Sequence, residues 1–185
     1  MWPDEADRPV VAGQQEARTG SANQQFLVQV HDHLRSELDS ILDGLTALDD
    51  GGDAGVDYDE SIGEARALLQ RLTMRQNHFS LGAFCAAWCR TVATHHTIED
   101  QHMFVGLRAA EPELGPVIDR LEAEHVVVAA MLLELDESLV ALVAETGTLV
   151  QVHAVARRLG AALRSHLSYE EDQLLPALGR SASLI

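Results

Sequence analysis

Two short stretches of the chain carry the residue types that hold metal ions. Residues 95–100 read HHTIED and residues 166–171 read HLSYEE, so His95 stands four positions before Glu99 and His166 four before Glu170. On an α-helix four residues make about one turn and about 40° of rotation, so both side chains of such a pair reach one space beside the helix. Imidazole would end there as a nitrogen donor to one ion, and a carboxylate can span two. In both copies the acidic doublet is followed, three residues on, by an apolar pair, Met103 with Phe104 and Leu174 with Leu175. Two such copies suit one metal site built from two helices. Iron and manganese accept this mixture of imidazole and carboxylate. Zinc is compatible by residue type, although structural zinc rarely takes so many carboxylates and no thiolate.

The elements that must position these pairs follow from composition and periodicity. At 185 residues the chain suits one domain, and its apolar residues are mostly Ala, Leu and Val, with few aromatics and no convincing alternating strand. An all-α architecture is expected. Residues 1–20 mix Pro, Gly and charge without a period and read as a flexible N-terminal arm. A first helix, capped by Ser21 or Asn23, carries Leu27, His31, Leu34, Leu38, Leu42, Leu45 and Leu48 on one stripe. The run DDGGDAG at 49–55 ends it. An extra short helix is expected over residues 60–76, followed by a break at Asn77, His78, Phe79 and Ser80.

The second long helix, residues 81 to about 109, would present Leu81, Phe84, Trp88, Val92, His95 and Glu99. Glu111 and Pro112 stop it, and Pro116 suits the first turn of a third helix carrying Ile118, Leu121, His125, Val128, Leu132, Leu135, Leu139 and Leu142. Thr148 with Gln151 forms a capping-box pattern for the fourth, which presents Val152, Ala156, Leu159, Leu163, His166, Glu170 and Leu174 and leaves at Pro176. Joined by turns, these make an antiparallel up-down four-helix bundle over residues 21–180, with a tail at 181–185.

Register supports a shared site. His31 lies roughly 25 Å from the end of its helix and His95 roughly 22 Å from the start of the next, at 1.5 Å per residue. His125 and His166 match within roughly 5 Å across the following turn. All four histidines therefore reach similar height, level with two carboxylates whose unpartnered burial would be costly. Cations among them would remove that cost.

The set H…HxxxE…H…HxxxE resembles the hemerythrin-like (HHE cation-binding) family over nearly all of residues 22–180. The matching text includes the stretch around His31, HHTIED, the stretch ending in Glu124 and His125, and HLSYEEDQLLPAL. The resemblance implies an oxo- or hydroxo-bridged non-haem di-iron centre that binds or reacts with O₂, peroxide or NO. His31 and His95 would serve one iron, His125 and His166 the other, with Glu99 and Glu170 bridging. The family's oxygen carriers have a second histidine four residues after the third-helix ligand, where this chain has Ala129. That difference implies an open or water-filled position and a more reactive centre. His102, seven residues after His95, is a candidate fifth imidazole or proton relay, and Tyr58 and Tyr169 are weaker phenolate candidates.

Neighbouring groups sort by angle. His96, with Asp100 four residues on, lies about 100° from the stripe, so His95 with Glu99 is preferred. His33 is displaced in the same way from His31, and His78 and His153 read as surface or cap residues. Asp100 and Glu171 suit hydrogen bonds to ligand histidines or solvent. Trp88 and Phe84 are core candidates, and Cys85 and Cys89 read as small buried hydrophobes.

Charge narrows the function. A formal net charge of −16 argues against nucleic acid and anionic membrane as partners. No apolar run approaches a membrane span, and nothing in residues 1–20 resembles a signal peptide, so a cytoplasmic location is expected. The leading expectation is peroxide decomposition in oxidative-stress defence, a catalase-like activity, or other redox handling of O₂ or NO with an unknown reductant. The alternatives are a non-enzymatic oxygen, NO or iron sensor or carrier, working through a protein partner, and a ferritin-like iron-handling protein built on the ExxH pairs Glu99 with His102 and Glu122 with His125.

Overall fold

The computed structural model describes residues 2–11, 20–50 and 60–180. Among them there is no strand. The helices are α1 (Ala22–Asp50), α2 (Glu60–Ile98), α3 (Phe104–Ala110), α4 (Gly115–Val143) and α5 (Leu149–Arg180). A π-helical turn, Glu99–Met103, joins α2 to α3 without a break, so the two form one long rod. Four rods result. In section α1 packs on α2, α2 on α4, α4 on α5 and α5 back on α1, which closes an up-down four-helix bundle.

Local chemistry explains where the rods begin. Ser21 Oγ accepts from the Gln24 N–H at 3.2 Å while Gln24 Oε1 accepts from the Ser21 N–H at 3.0 Å, a reciprocal cap for α1. Gln24 Nε2 also donates to the Leu175 carbonyl at 2.7 Å and so ties this cap to α5. Thr148 and Gln151 cap α5 in the same way, at 2.8 and 3.3 Å.

Two expected breaks are absent. Asn77, His78, Phe79 and Ser80 do not interrupt the rod, so residues 60–76 are the first part of α2 and not a separate helix. Those four residues include neither Gly nor Pro, and their preference for caps is too weak to end a hydrogen-bonded ladder. Pro176 does not end α5 either. The helix continues to Arg180 because Ala177 and Leu178, both fully buried, anchor its last turn.

The arm also departs from expectation over its first half. Residues 2–11 lie along α4 and α5: the Tyr169 hydroxyl donates to the Pro9 carbonyl at 2.6 Å, the Val11 N–H donates to Gln173 Oε1 at 3.1 Å, and Arg120 donates to the Asp4 carbonyl at 2.7 Å. Residues 12–19, 51–59 and 181–185 lie outside the described residues.

The core is divided in two. One apolar cluster contains Leu34, Leu38, Trp88, Val92, Val128 and Leu163, and the other contains Leu27, Met103, Phe104, Leu121 and Leu174. Between them, at one level on all four rods, lie the histidines and glutamates singled out above. Cys85 and Cys89 are free thiols, pushed by burial up to about 12 and about 11. No described helix is long and apolar enough to cross a membrane. Trp88 is 1 % exposed and its indole N–H donates to the Leu34 carbonyl at 3.2 Å. Trp88→Ala should therefore cost about 3–5 kcal/mol in urea unfolding; a loss below about 1 kcal/mol would show that the packing around it is not what holds α1 to α2.

Candidate metal centre

Each rod contributes to the polar layer. His31 comes from α1, His95 and His96 from the end of α2, Glu99 and Asp100 from the π turn, Glu124 and His125 from α4, and His166, Glu170 and Glu171 from α5. His31, His166, Glu124 and Glu170 are completely buried, while His96, Glu99 and His125 are nearly so.

The ring Nε2 atoms converge. Those of His31 and His95 are 3.1 Å apart, and those of His125 and His166 are 3.0 Å apart. Two carboxylates connect the pairs. Glu99 Oε1 lies 3.0 Å from His95 Nε2 and 3.8 Å from His31 Nε2, while its Oε2 lies 3.6 Å from His125 Nε2. Glu170 Oε2 lies 3.6 Å from His31 Nε2 and 3.7 Å from His166 Nε2. Yet none of the four carboxylate oxygens of Glu99 and Glu170 has a hydrogen-bond partner among the described residues. Buried acceptors without donors are expensive.

Carboxylates hold the outer edges of the rings. His31 Nδ1–H donates to Glu171 Oε1 at 2.9 Å, His125 Nδ1–H to Asp100 Oδ1 at 2.8 Å, and His166 Nδ1–H to Glu124 Oε2 at 3.0 Å. An ionised carboxylate can only accept, so the proton of each neutral ring sits on Nδ1 and the Nε2 lone pair faces inward. Arginines in turn hold the carboxylates. Arg35 lies 2.8 Å from Glu171. Glu124 is held by Arg120 at 2.7 Å and by Arg8 of the docked arm through two bonds of 2.9 Å.

Titration behaviour follows this layout. Burial alone would raise Glu124, but bonds from His166, Arg8 and Arg120 overrule it and hold the carboxyl down at about 2. Glu171 is likewise kept low against burial by His31 and Arg35. Burial lowers His166 to about 4 despite its bond to Glu124. Glu170 goes the other way: burial first, then the facing charge of Glu99, pushes its carboxyl well above the ordinary range.

The structure brings together all six residues expected to bind metal: His31, His95, Glu99, His125, His166 and Glu170. Asp100 and Glu171 bond to ring nitrogens. Two residues of the layer were not anticipated. Glu124, with Arg120 one turn before it, reads as half of a surface ion pair, because its bonds to His166 and to Arg8 of the arm span 42 and 116 positions. His96 was set aside by angle, yet it is 5 % exposed and its ring stacks on His125. The buried face of this rod runs Cys85, Trp88, Val92, His96, Glu99 and Met103, and Phe84, expected on it, is 42 % exposed. A step of four from Val92, in place of three, leads to His96. Two other candidates fall away from the layer. His102 is exposed, at a cavity of about 260 Å³ that His95 and Glu99 also line. Tyr169 bonds to the arm, beneath the Arg8 guanidinium at 4.7 Å. Tyr58 lies outside the described residues.

The hemerythrin HHE cation binding domain family matches residues 24–178. This chain belongs to that family. No curated protein and no solved structure matches it. For a hemerythrin-like domain the donor set fits a cation: the ring lone pairs face inward, and a cation would satisfy the four carboxylate oxygens that have no partner among the described residues. Two groups of donors in it could hold metal, His31 with His95, Glu99 and Glu170, and His96 with His125 and His166.

The same layer makes the metal-free hemerythrin-like bundle sensitive to pH. Because folding raises the pKa of Glu170, its contribution to stability is complete below about 4.5 and is lost as pH rises towards the folded-state value. The loss is at most about 1.4 kcal/mol per pH unit. Glu170→Gln carries no such proton. Chelator-treated variant should gain on chelator-treated wild type as pH rises above about 4.5 in thermal unfolding. Parallel curves would contradict the placement of this carboxyl.

Proposed function

We propose that this protein holds two iron ions between its four helices and decomposes peroxide, as a defence against oxidants. One observation carries the reading: four inward Nε2 atoms surround two bare carboxylates, each of which reaches histidines on more than one rod. His31 and His95 would hold one ion, His125 and His166 the other, with Glu99 and Glu170 spanning both. Manganese or zinc could occupy the same donors. Iron would supply reversible electron exchange with peroxide, two molecules of which give one of O₂ and two of water with no external reductant.

The remaining residues suit that task. Nδ1–H bonds from His31, His125 and His166 to carboxylates make the rings better donors and favour an oxidised centre over reversible carriage. Phe26, Leu27, Val30, Ile98 and Met103 line the cavity of about 260 Å³ beside His95 and Glu99, so the approach is apolar and small. Peroxide, O₂ and NO fit it, whereas drug-sized ligands ordinarily take about 300–1,000 Å³. His102, on the exposed side of this cavity, can pass protons between solvent and the approach.

Purified protein loaded with iron should contain two equivalents, show near-ultraviolet charge-transfer bands and evolve O₂ from peroxide, with evolution lost in His125→Ala. Stable, reversible O₂ binding without peroxide turnover would overturn the enzymatic reading. Less than about one equivalent of any transition metal would overturn the centre itself.

A sensor role has one observation in its favour. Arg8 links the N-terminal arm through Glu124 to His166, so occupation of the centre can bear on how firmly the arm is held. In that case limited proteolysis should cut the arm of metal-free protein faster than that of iron-loaded protein. Equal rates would remove the support for this second reading.

A further inference from the structure

We propose that the outward face of α4 is a contact between two copies of this chain, packed antiparallel about a two-fold axis at Leu133. The inference does not depend on the metal reading.

α4 presents a line of large apolar side chains to solvent. Val126, Leu133 and Val140 are 71 %, 66 % and 62 % exposed and stand seven residues apart. A step of seven drifts only about 20° around a helix, so the three form one line about 21 Å long. Ala129 and Ala130, both exposed, fill the interval between the first two. Single exposed apolar residues are ordinary, whereas a seven-residue repeat on a solvent face is the seam of a helix that packs on another helix. α5 gives the contrast. Beyond its first turn its exposed residues include Arg157, Arg158, Ser168 and Asp172 and no large apolar side chain.

The spacing selects the occupant. Val126 and Val140 are equally far from Leu133, so a second α4 running the opposite way sets Val126 against Val140 at both ends of the seam. The same operation sets Ala129 against Glu137 and Ala130 against Asp136, so the acids of this face meet alanines. Parallel pairing would bring each of those acids against its own copy, a like-charge contact.

Two chains of net charge −16 repel at a distance, and the contact must offset this. Arg158 of α5 lies 2.5 Å from Glu134, and both are exposed. Glu134 is one residue from the axis, so the pair meets its symmetry copy there and each arginine faces an acid of the other chain. On that side Ala130, Ala161 and Ala162 help to line a groove of about 580 Å³ between α4 and α5, and such small side chains let a second helix come close. A seam of one helix is at the small end of stable interfaces, so the dimer is expected to dissociate on dilution.

Analytical ultracentrifugation of the full-length wild type from about 1 to about 300 μM should show the 20.1 kDa chain give way to a species of twice that mass. Leu133→Glu, at an exposed position, should weaken the dimer at least about tenfold with unchanged helical circular dichroism. Cross-linking reads the orientation. Oxidation should join Val126→Cys to Val140→Cys when the two variants are mixed, and should join neither to itself, with wild type as the control for Cys85 and Cys89. A wild type that stays monomeric throughout would overturn the proposal and leave the face to a different protein. A dimer that survives Leu133→Glu at full strength, or Val126→Cys that links to itself, would overturn it as well.

Discussion

Glu99 and Glu170 lie in the middle of the bundle with no hydrogen-bond donor among the described residues to satisfy either carboxylate. Everything else at this level is arranged around that deficit. Two like charges in a dry interior cannot both stay ionised unless a cation joins them, so without metal one carboxyl must keep its proton. The apolar clusters on either side raise the stakes, because they exclude the water that would otherwise solvate these oxygens. Metal binding and folding are therefore coupled here: an ion that removes the deficit adds its binding free energy to the stability of the fold.

Charge is handled in shells outward from that point. Inside are nitrogen lone pairs and bare oxygens; next come Glu171, Asp100 and Glu124, which fix the rings; beyond them Arg35, Arg120 and Arg8 neutralise two of those three carboxylates. Asp100 has solvent in place of an arginine, since its side chain is 39 % exposed. The outer shell is what draws the arm into the structure. Arg8 reaches Glu124, caps the Tyr169 ring and donates to Ser165, so a segment without helical periodicity gains a fixed place from electrostatics and one buried carboxylate.

How much of this was legible in the sequence depended on whether the cause was local. The rods of α1, α4 and α5 followed from leucine spacing and from the reciprocal caps at Ser21 and Thr148, all of which act within one or two turns. The common height of His31, His95, His125 and His166 followed from counting along paired rods. Non-local causes were opaque. Pro176 reads as a stop, but burial of Ala177 and Leu178 against other rods carries α5 past it. Glu124 reads as the partner of Arg120 one turn before it until Arg8 and His166 are brought beside it. His96 differs, because its signal is local: from Val92 the face can step three residues to His95 or four to His96, and the pairing of His95 with Glu99 favours the shorter step.

The π turn explains why one rod can give so many residues to the centre. In a uniform α-helix each residue advances about 100°, which puts Glu99 about 40° from His95, between it and His96 at about 100°. All three therefore face the layer. Continued at that rate, Phe104 would point about 140° away from Glu99. Instead the Phe104 N–H bonds to the Glu99 carbonyl, five residues back, and the turn is one residue wider. The slower advance brings Phe104 back over the layer, where it covers His125, and keeps Asp100 within reach of the same ring. It also carries His102 away from the interior, contrary to a count made on a regular helix. The irregular backbone begins at Glu99 itself, so one local departure from α geometry sets which residues hold His125 in place and which lie at the solvent approach.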